Sequence, residues 1–276
     1  MEANTKLSRT NFWSIVVNST SSFVIAYLIV FYLNYFATLL STAMFGFDVS
    51  FDFDQILYHI EPYQWTNDSV KMIFGSGPLL VFLLGLISLI GYFGLTEEQS
   101  RMKVLFVWLS LIAFNQTFGS LMIGNIFKTG VGHVFNWMYF NDTQKMLVAL
   151  VGFFGLITTA FLMVRPVAMS ANSYFNKLDG RNFPFFIMSQ FILPFLFGYT
   201  LIIIYFWQRL LFQEEFAWIS LSILILIIAF RVSSLEKLYF DEDDRRPGIS
   251  KFLVILAISM YVGLRIILSG LYTIHW

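Results

Sequence analysis

Two adjacent amides lie in the middle of an apolar segment. Asn115 and Gln116 stand between Leu105–Ala113 and Leu121–Ile126, which are nearly all hydrophobic. A primary amide is costly to bury at the centre of a bilayer unless it finds a hydrogen-bonding partner. Gln116 and Ser120 are four residues apart and therefore share one face of a helix. The sequence leaves two interpretations open: a polar contact between helices, or a site that touches a ligand.

A second polar stripe lies on the first apolar segment. Asn34, Thr38 and either Ser41 or Thr42 recur at helical spacing, so their side chains point to one side of the predicted helix. These groups could meet Asn115 and Gln116 across a helix contact. The pattern predicts a cleft at membrane depth that is lined by amides and hydroxyls, although a hydrogen-bonded helix contact would give the same pattern.

Two single residues complete the candidate site. Arg265 is the one charged residue well inside a predicted span, and it either extends towards the headgroups or pairs with an amide or an anion. His133 follows two glycines in the turn Gly130–His133. A histidine without an acidic or second-histidine partner is rarely a metal ligand.

Several kinds of chemistry lack the residues that they need. The chain has no cysteine and three histidines, and no Asp or Glu falls inside a predicted span. Proton-coupled transporters usually carry an intramembrane carboxylate, and metalloproteases carry an H-E-x-x-H helix that is absent here. The sequence therefore predicts no cofactor and no metal. The net charge of zero also argues against nucleic-acid binding.

The composition predicts the elements that position these residues. Hydrophobic residues make up 58% of the chain and charged residues 12%, against about 25% charged residues in a soluble domain. The fold class is an all-α polytopic membrane protein forming a single transmembrane domain, 1–276. Seven apolar segments predict spans at about 20–44, 75–95, 103–126, 145–165, 184–210, 216–231 and 251–273. The fifth and sixth are so close that 184–231 could instead contain a re-entrant pair, which leaves six spans.

Basic residues predict the orientation. With the N-terminus inside, twelve of the 17 lysines and arginines fall on the inner side, as the positive-inside rule requires. The chain is thus expected in a membrane, most simply the inner (plasma) membrane of a bacterium, with a cytoplasmic N-terminus and an external C-terminus. The inner run 241–246 mixes acidic and basic residues and is expected to form a solvated, self-paired loop.

The irregular segments carry their own patterns. The outer loop 45–75 is acidic, and residues 47–53 alternate apolar and polar, which predicts a strand in a hairpin or at the interface. Residues 55–65 are expected to form a short interfacial helix. Pro78 in Gly75–Pro78 is expected near the start of the second span, and Pro194 is expected to kink the fifth.

The order of these features resembles the membrane-embedded zinc metalloproteases of the site-2 protease type. Those proteins have an H-E-x-x-H helix, a strand, a Gly-Pro that opens the next span, and a later span with an asparagine. An aspartate then completes their zinc site. The likeness covers roughly residues 30–140 and rests on the segment Asn34–Thr38, strand 47–53, Gly77-Pro78 and Asn115.

The elements that define that family are replaced in this chain. Asn34 and Thr38 stand in the places of the two histidines, Tyr35 in the place of the glutamate, and no aspartate follows at Gly130–His133. Asn and Thr are poor zinc ligands, and Tyr is not a matched general base. The resemblance implies a non-catalytic relative whose old cleft could still bind a membrane helix or a partner protein.

These observations favour a non-enzymatic membrane protein that binds or scaffolds another membrane component. Its partners would be the lipid bilayer and a membrane protein or further copies of itself, as expected of an accessory subunit. One alternative is a passive channel for a small solute, with Arg265 as its selectivity charge. A second alternative is a membrane-embedded hydrolase.

Overall fold

A computed structural model describes residues 9–95, 100–207, 212–235, 237–240 and 248–276, with no side chains described at 100 and 212–216. The helices are α1 (Arg9–Ala43), α2 (Asn67–Gly94), α3 (Ser100–Phe127), α4 (Gly132–Trp137), α5 (Asp142–Ser170), α6 (Phe183–Ile187), α7 (Leu193–Tyr205), α8 (Phe212–Ser233) and α9 (Lys251–Ile267). The strands are β1 (Val49–Phe51), β2 (Ile56–Tyr58), β3 (Lys177–Leu178), β4 (Leu238–Tyr239) and β5 (Tyr272–Ile274). The loop expected at 241–246 lies outside the described residues, as do Lys6 and Arg209.

Long apolar helices dominate the structure. In the described part of the chain, five helical segments are long and apolar enough to cross a membrane: Arg9–Ala43, Asn67–Gly94, Arg101–Phe127, Asp142–Ser173 and Phe183–Tyr205. They coincide with the first five spans expected from the sequence. Ala217–Ser233 is also apolar but shorter, and α9 has 17 residues. The protein is thus a mostly helical fold whose long helices suit a bilayer.

Helix α1 forms the centre of the bundle. Phe23, Ile25 and Leu28 are fully buried although they point to different sides of the helix, which is typical of a helix surrounded by others. Helices α2, α3, α7 and α9 all pack against it. Residues 10–20, which precede the first predicted span, belong to the same continuous helix.

Small residues bring α3 and α5 together. A Cβ added at Gly152 would lie 2.6 Å from the backbone oxygen of Phe118 and 2.7 Å from the amide nitrogen of Met122. Real side chains do not make contacts this short, so the two backbones approach at a distance that only glycine allows. This contact fixes α5 against the helix that carries Asn115 and Gln116.

A three-stranded antiparallel sheet covers one end of the bundle. Strand β1 lies in the middle, with β2 on one side and β5 on the other, so the predicted hairpin is confirmed. The helix expected at 55–65 is wrong: Ile56–Tyr58 pair with β1 as a strand, and a single 3₁₀ turn follows at Pro62–Gln64. The last span also ends earlier than 273, because α9 stops at Ile267 and β5 completes the sheet.

Helix α2 begins eight residues before the predicted span. Thr66 caps its N-terminus by accepting a hydrogen bond from the backbone N–H of Ser69, and this cap starts the helix at Asn67. The acidic outer loop is shorter as a result. Pro78 lies inside the helix, so its predicted position near a helix start is wrong.

The helical winding changes just before Pro194, where the sequence predicts a kink. A π-helical turn, Met188–Ile192, separates α6 from α7. Proline has no N–H to offer the carbonyl four residues earlier, which here is the carbonyl of Gln190. The hydroxyl of Ser19 on α1 donates to that carbonyl at 2.5 Å, so a contact between helices replaces the missing bond.

Candidate functional site

One turn of α2, residues 74–78, is the place where three other helices converge. Asn34 of α1 packs directly on Gly77, since a Cβ added there would overlap the Asn34 side chain and lie 2.8 Å from its backbone oxygen. The hydroxyl of Ser41 lies 2.8 Å from that of Ser76. The polar stripe expected on the first span therefore faces this turn, and Thr38 lies in it with its hydroxyl bonded to the Asn34 carbonyl.

Helix α3 reaches the same turn of α2. The Thr117 hydroxyl lies 3.4 Å from the carbonyl oxygen of Pro78, and 2.9 Å from the Ala113 carbonyl of its own helix. Gln116 precedes Thr117 and is half-buried, and the Ser120 hydroxyl donates to the Gln116 carbonyl at 2.6 Å. Asn34 of α1 and Thr117 of α3 thus contact neighbouring residues of α2, whereas a meeting of Asn34 with Gln116 stays a prediction.

His133 of α4 lies against Phe74 of this turn. Its ring is 5.1 Å from that of Phe74, centroid to centroid. Burial lowers the pKa of the half-buried imidazole, which favours its neutral form near neutral pH. No group of three His, Cys, Asp or Glu side chains that could hold a metal occurs among the described residues.

Asn115 belongs to a different contact. Its side-chain nitrogen donates to the Ala217 carbonyl at 3.2 Å, and its side-chain oxygen accepts the Ser220 hydroxyl at 2.8 Å, both on α8. Only 3% of Asn115 is exposed. Adjacent residues on a helix point about 100° apart, so Asn115 and Gln116 face different neighbours. The structure does not bring Asn115 to the 74–78 turn.

An apolar cavity of about 180 Å³ borders that contact, between α3, α5 and α8. Its walls are aliphatic and aromatic, apart from Ser220. Because the Ser220 hydroxyl already bonds to Asn115, the cavity offers a ligand little beyond apolar surface.

Arg265 lies next to Phe53, which is in the segment that links β1 to β2. Its guanidinium carbon is 3.4 Å from the centre of the Phe53 ring, a cation–π contact. Nearby, the hydroxyls of Tyr32 and Tyr205 are 2.6 Å apart, and Tyr32 donates to the Phe53 carbonyl at 3.0 Å. Neither reading of Arg265 from the sequence included this aromatic partner.

The sequence reasoning also missed a polar network at the other end of the bundle. Gln190, which is 0% exposed, donates to the Ser170 hydroxyl at 2.8 Å, and Trp108 donates to Ser19 at 2.9 Å. Asn18 bonds to the Tyr174 hydroxyl and to the backbone at Gly248 and Ser250. The sequence feature that could have revealed this network is the polar run Asn18–Ser22, which interrupts an otherwise apolar helix.

Comparison of the chain with family models, with curated proteins and with solved structures finds no match.

Proposed function

We propose that the chain is a non-enzymatic integral membrane protein that binds a transmembrane segment of another membrane protein at the 74–78 turn. The supporting observation is the half-buried amide of Asn34, which packs on Gly77 of that turn. The proposal assigns the half-buried amide of Gln116, the neighbour of Thr117, to the same site. The side-chain nitrogen and the side-chain oxygen of Asn115 both form hydrogen bonds with α8. Within the residues that the structure describes, no hydrogen bond of the Asn34 or Gln116 side chain is found.

The chemistry of the turn fits a peptide partner. An amide side chain offers one acceptor and two donor hydrogens, which complement the polar groups of another helix. Such groups at membrane depth need a partner because hydrocarbon supplies none. The turn also includes the hydroxyls of Thr38, Ser41 and Thr117, which bond to carbonyls of their own helices. The Ser76 hydroxyl bonds instead to the Ala37 carbonyl of α1, and none of these hydroxyls titrates near neutral pH.

Two alternatives receive less support. The channel hypothesis used Arg265 as a selectivity charge, and the contact of that guanidinium with Phe53 favours a structural role. The hydrolase hypothesis requires a catalytic set, which the sequence did not supply. A relationship to site-2-type metalloproteases stays a prediction, and it would place a bound membrane helix at this same cleft.

The proposal includes seven crossings, which the strand pairing supports. If α1, α2, α3, α5 and α6–α7 each cross once, β1 and β3 lie on opposite sides. Strand β4 pairs with β3, and β5 pairs with β1. Helices α8 and α9 must then each cross as well. The 17 residues of α9 would extend about 26 Å, close to the thickness of a hydrocarbon core. A bacterial inner membrane and a cytoplasmic N-terminus remain part of the proposal, based on the basic residues.

The test is recovery of the partner from native membranes. Tagged wild-type protein, extracted in mild detergent, is expected to bring down a stoichiometric second membrane protein identified by mass spectrometry. In the double variant Asn34→Leu, Gln116→Met, recovery should fall about tenfold, since each amide loses hydrogen bonds that hydrocarbon cannot replace.

The matched control is Thr200→Val, which removes an exposed hydroxyl on α7 that bonds to its own helix. It should leave recovery unchanged. A wild-type protein that emerges as a monomer or a homo-oligomer with no second membrane protein would refute the proposal and move attention to the channel alternative.

A further inference from the structure

A second cavity, of about 670 Å³, lies where the ends of α2, α3 and α5 meet the segment after α8. It is about 21 Å along α2 from Pro78, at 1.5 Å per residue. The residues that shape it include Tyr92, Lys103, Arg165, Asn172, Leu238 and Tyr239. The Tyr92 hydroxyl donates to the Pro166 carbonyl at 2.9 Å, which ties α2 to α5 beside the cavity.

Two cations face this space. Lys103 is half-buried and Arg165 is exposed. The ion pairs found among the described residues involve Lys71, Lys128, Lys145, Lys177 and His275, and neither of these two cations. The amide of Asn172, which is 6% exposed, adds a polar group to the wall. A ligand that carries negative charge and accepts hydrogen bonds suits this set.

The remaining walls are apolar. Phe93, Met169 and Leu238 contribute aromatic and aliphatic surface beside the cations. The cavity lies at the ends of helices suited to a bilayer, which is the level of the headgroups. A small soluble anion would gain nothing from the apolar walls, whereas a phospholipid presents a phosphate joined to an apolar body. Basic pockets between membrane helices commonly bind such headgroups.

We propose that this cavity binds an anionic phospholipid, with its phosphate between Lys103 and Arg165 and its glycerol and upper acyl region against the apolar walls. The proposal does not depend on the partner site at the 74–78 turn. It requires a lipid and no second protein, so either proposal can fail while the other stands.

The experiment uses purified full-length protein in a neutral detergent. Phosphatidylglycerol and phosphatidylcholine of identical chains are added separately, and native mass spectrometry measures the fraction of protein that carries lipid. Wild-type protein is expected to bind phosphatidylglycerol about thirtyfold more tightly, given roughly 1 kcal/mol for each basic residue near an anionic headgroup. The double variant Lys103→Gln, Arg165→Gln should lose this preference.

Two further variants separate charge recognition from damage to the fold. Lys103→Arg, Arg165→Lys keeps both charges and should keep the preference. Lys177→Gln, Lys251→Gln removes two basic residues that the sequence places on the same side but that do not line the cavity, and it should also keep the preference. Each variant should unfold at the wild-type temperature.

Three results would overturn the proposal. The first is equal binding of the two lipids by wild-type protein, as expected if Glu97, Glu98 and the acidic residues of 241–244, which lie outside the described residues, neutralise the cations. The second is a preference that survives in the Gln double variant. The third is displacement of phosphatidylglycerol by an equal concentration of inorganic phosphate, which would show an anion site without lipid recognition.

Discussion

At the scale of single residues, the orientation of a side chain decides its role. Asn115 and Gln116 are neighbours of the same chemical type, yet Asn115 is bonded to α8 through both its amide atoms. Gln116 precedes Thr117, the residue that faces Pro78. The amide of Asn115 therefore bonds within the bundle, whereas our proposal assigns the amide of Gln116 to a partner.

The Asn115–Ser220 pair can be measured with a double-mutant cycle. Asn115→Leu is expected to lower the free energy of unfolding by about 1 kcal/mol, because the Ser220 hydroxyl can still donate to the Ala217 carbonyl. Together with Ser220→Ala, the cycle should give a coupling energy of about 0.6 to 1.7 kcal/mol, the range for hydrogen bonds between membrane helices. Reversible unfolding in mixed micelles provides the measurement.

Additive effects of the two substitutions would contradict this contact. Partner recovery provides a second readout: Asn115→Leu should leave it near the wild-type level once the protein is folded. A loss as large as that of the Asn34→Leu, Gln116→Met variant would place Asn115 in the partner site instead.

At the scale of elements, α2 is the helix whose sequence conflicts most with regular structure. Gly75, Gly77 and Pro78 lie within four residues inside it, where glycine and proline normally cost stability. Gly77 has a packing reason, since Asn34 occupies the space that a side chain would need. Packing does not require a glycine at position 75, since nothing lies within 4 Å of a Cβ added to Gly75.

Alanine substitutions at these two glycines should therefore have opposite effects. Gly77→Ala forces α1 and α2 apart and is expected to lower the free energy of unfolding by about 1 to 3 kcal/mol, as overpacking does. Gly75→Ala, its matched control, should raise it by about 0.5 to 1 kcal/mol, because alanine restricts the unfolded chain and meets no obstacle. Denaturant titration of both variants tests this difference, and equal effects would show that α1 does not approach α2 at Gly77.

At the scale of the whole molecule, two small sheets connect segments that are distant in sequence. One sheet joins the loop after α1 to the C-terminal strand, and the other joins β3 to β4. Pairing requires both strands of a pair to lie on the same side of the membrane. The strands therefore constrain the number of crossings more tightly than the lengths of α8 and α9 do.

Because the chain has no cysteine, single introduced cysteines can report this topology. Tyr63→Cys and Leu271→Cys, at exposed positions, should react with an impermeant maleimide from the same side of oriented vesicles. Gly180→Cys, which follows β3 at an open position, should react from the opposite side. Reaction of Leu271→Cys from the same side as Gly180→Cys would mean that α9 does not cross.

The sequence by itself determined the class of the fold and the place of its helices. Runs of about 20 apolar residues have few alternatives to a helix in a bilayer, and the first five predicted spans overlap helices long and apolar enough to cross one. The alternation at 47–53 was enough to place β1. The kink predicted from Pro194 falls beside a π-helical turn, Met188–Ile192. A meeting of Asn34 with the third span stays a prediction, since the contact shown for Asn34 is with Gly77 of α2.

Only the tertiary structure decided the contacts that depend on distant segments. Strands β2 and β5 form because β1 offers backbone hydrogen bonds on both of its sides. No local pattern in the sequences of β2 and β5 predicts this pairing. Asn115 faces α8 and Arg265 lies on Phe53 because helix rotation sets these contacts, and an apolar helix surrounded by others carries little signal of its rotation. The cavity of Lys103 and Arg165 arises from three helix ends and a strand, far apart in sequence and adjacent only in the folded chain.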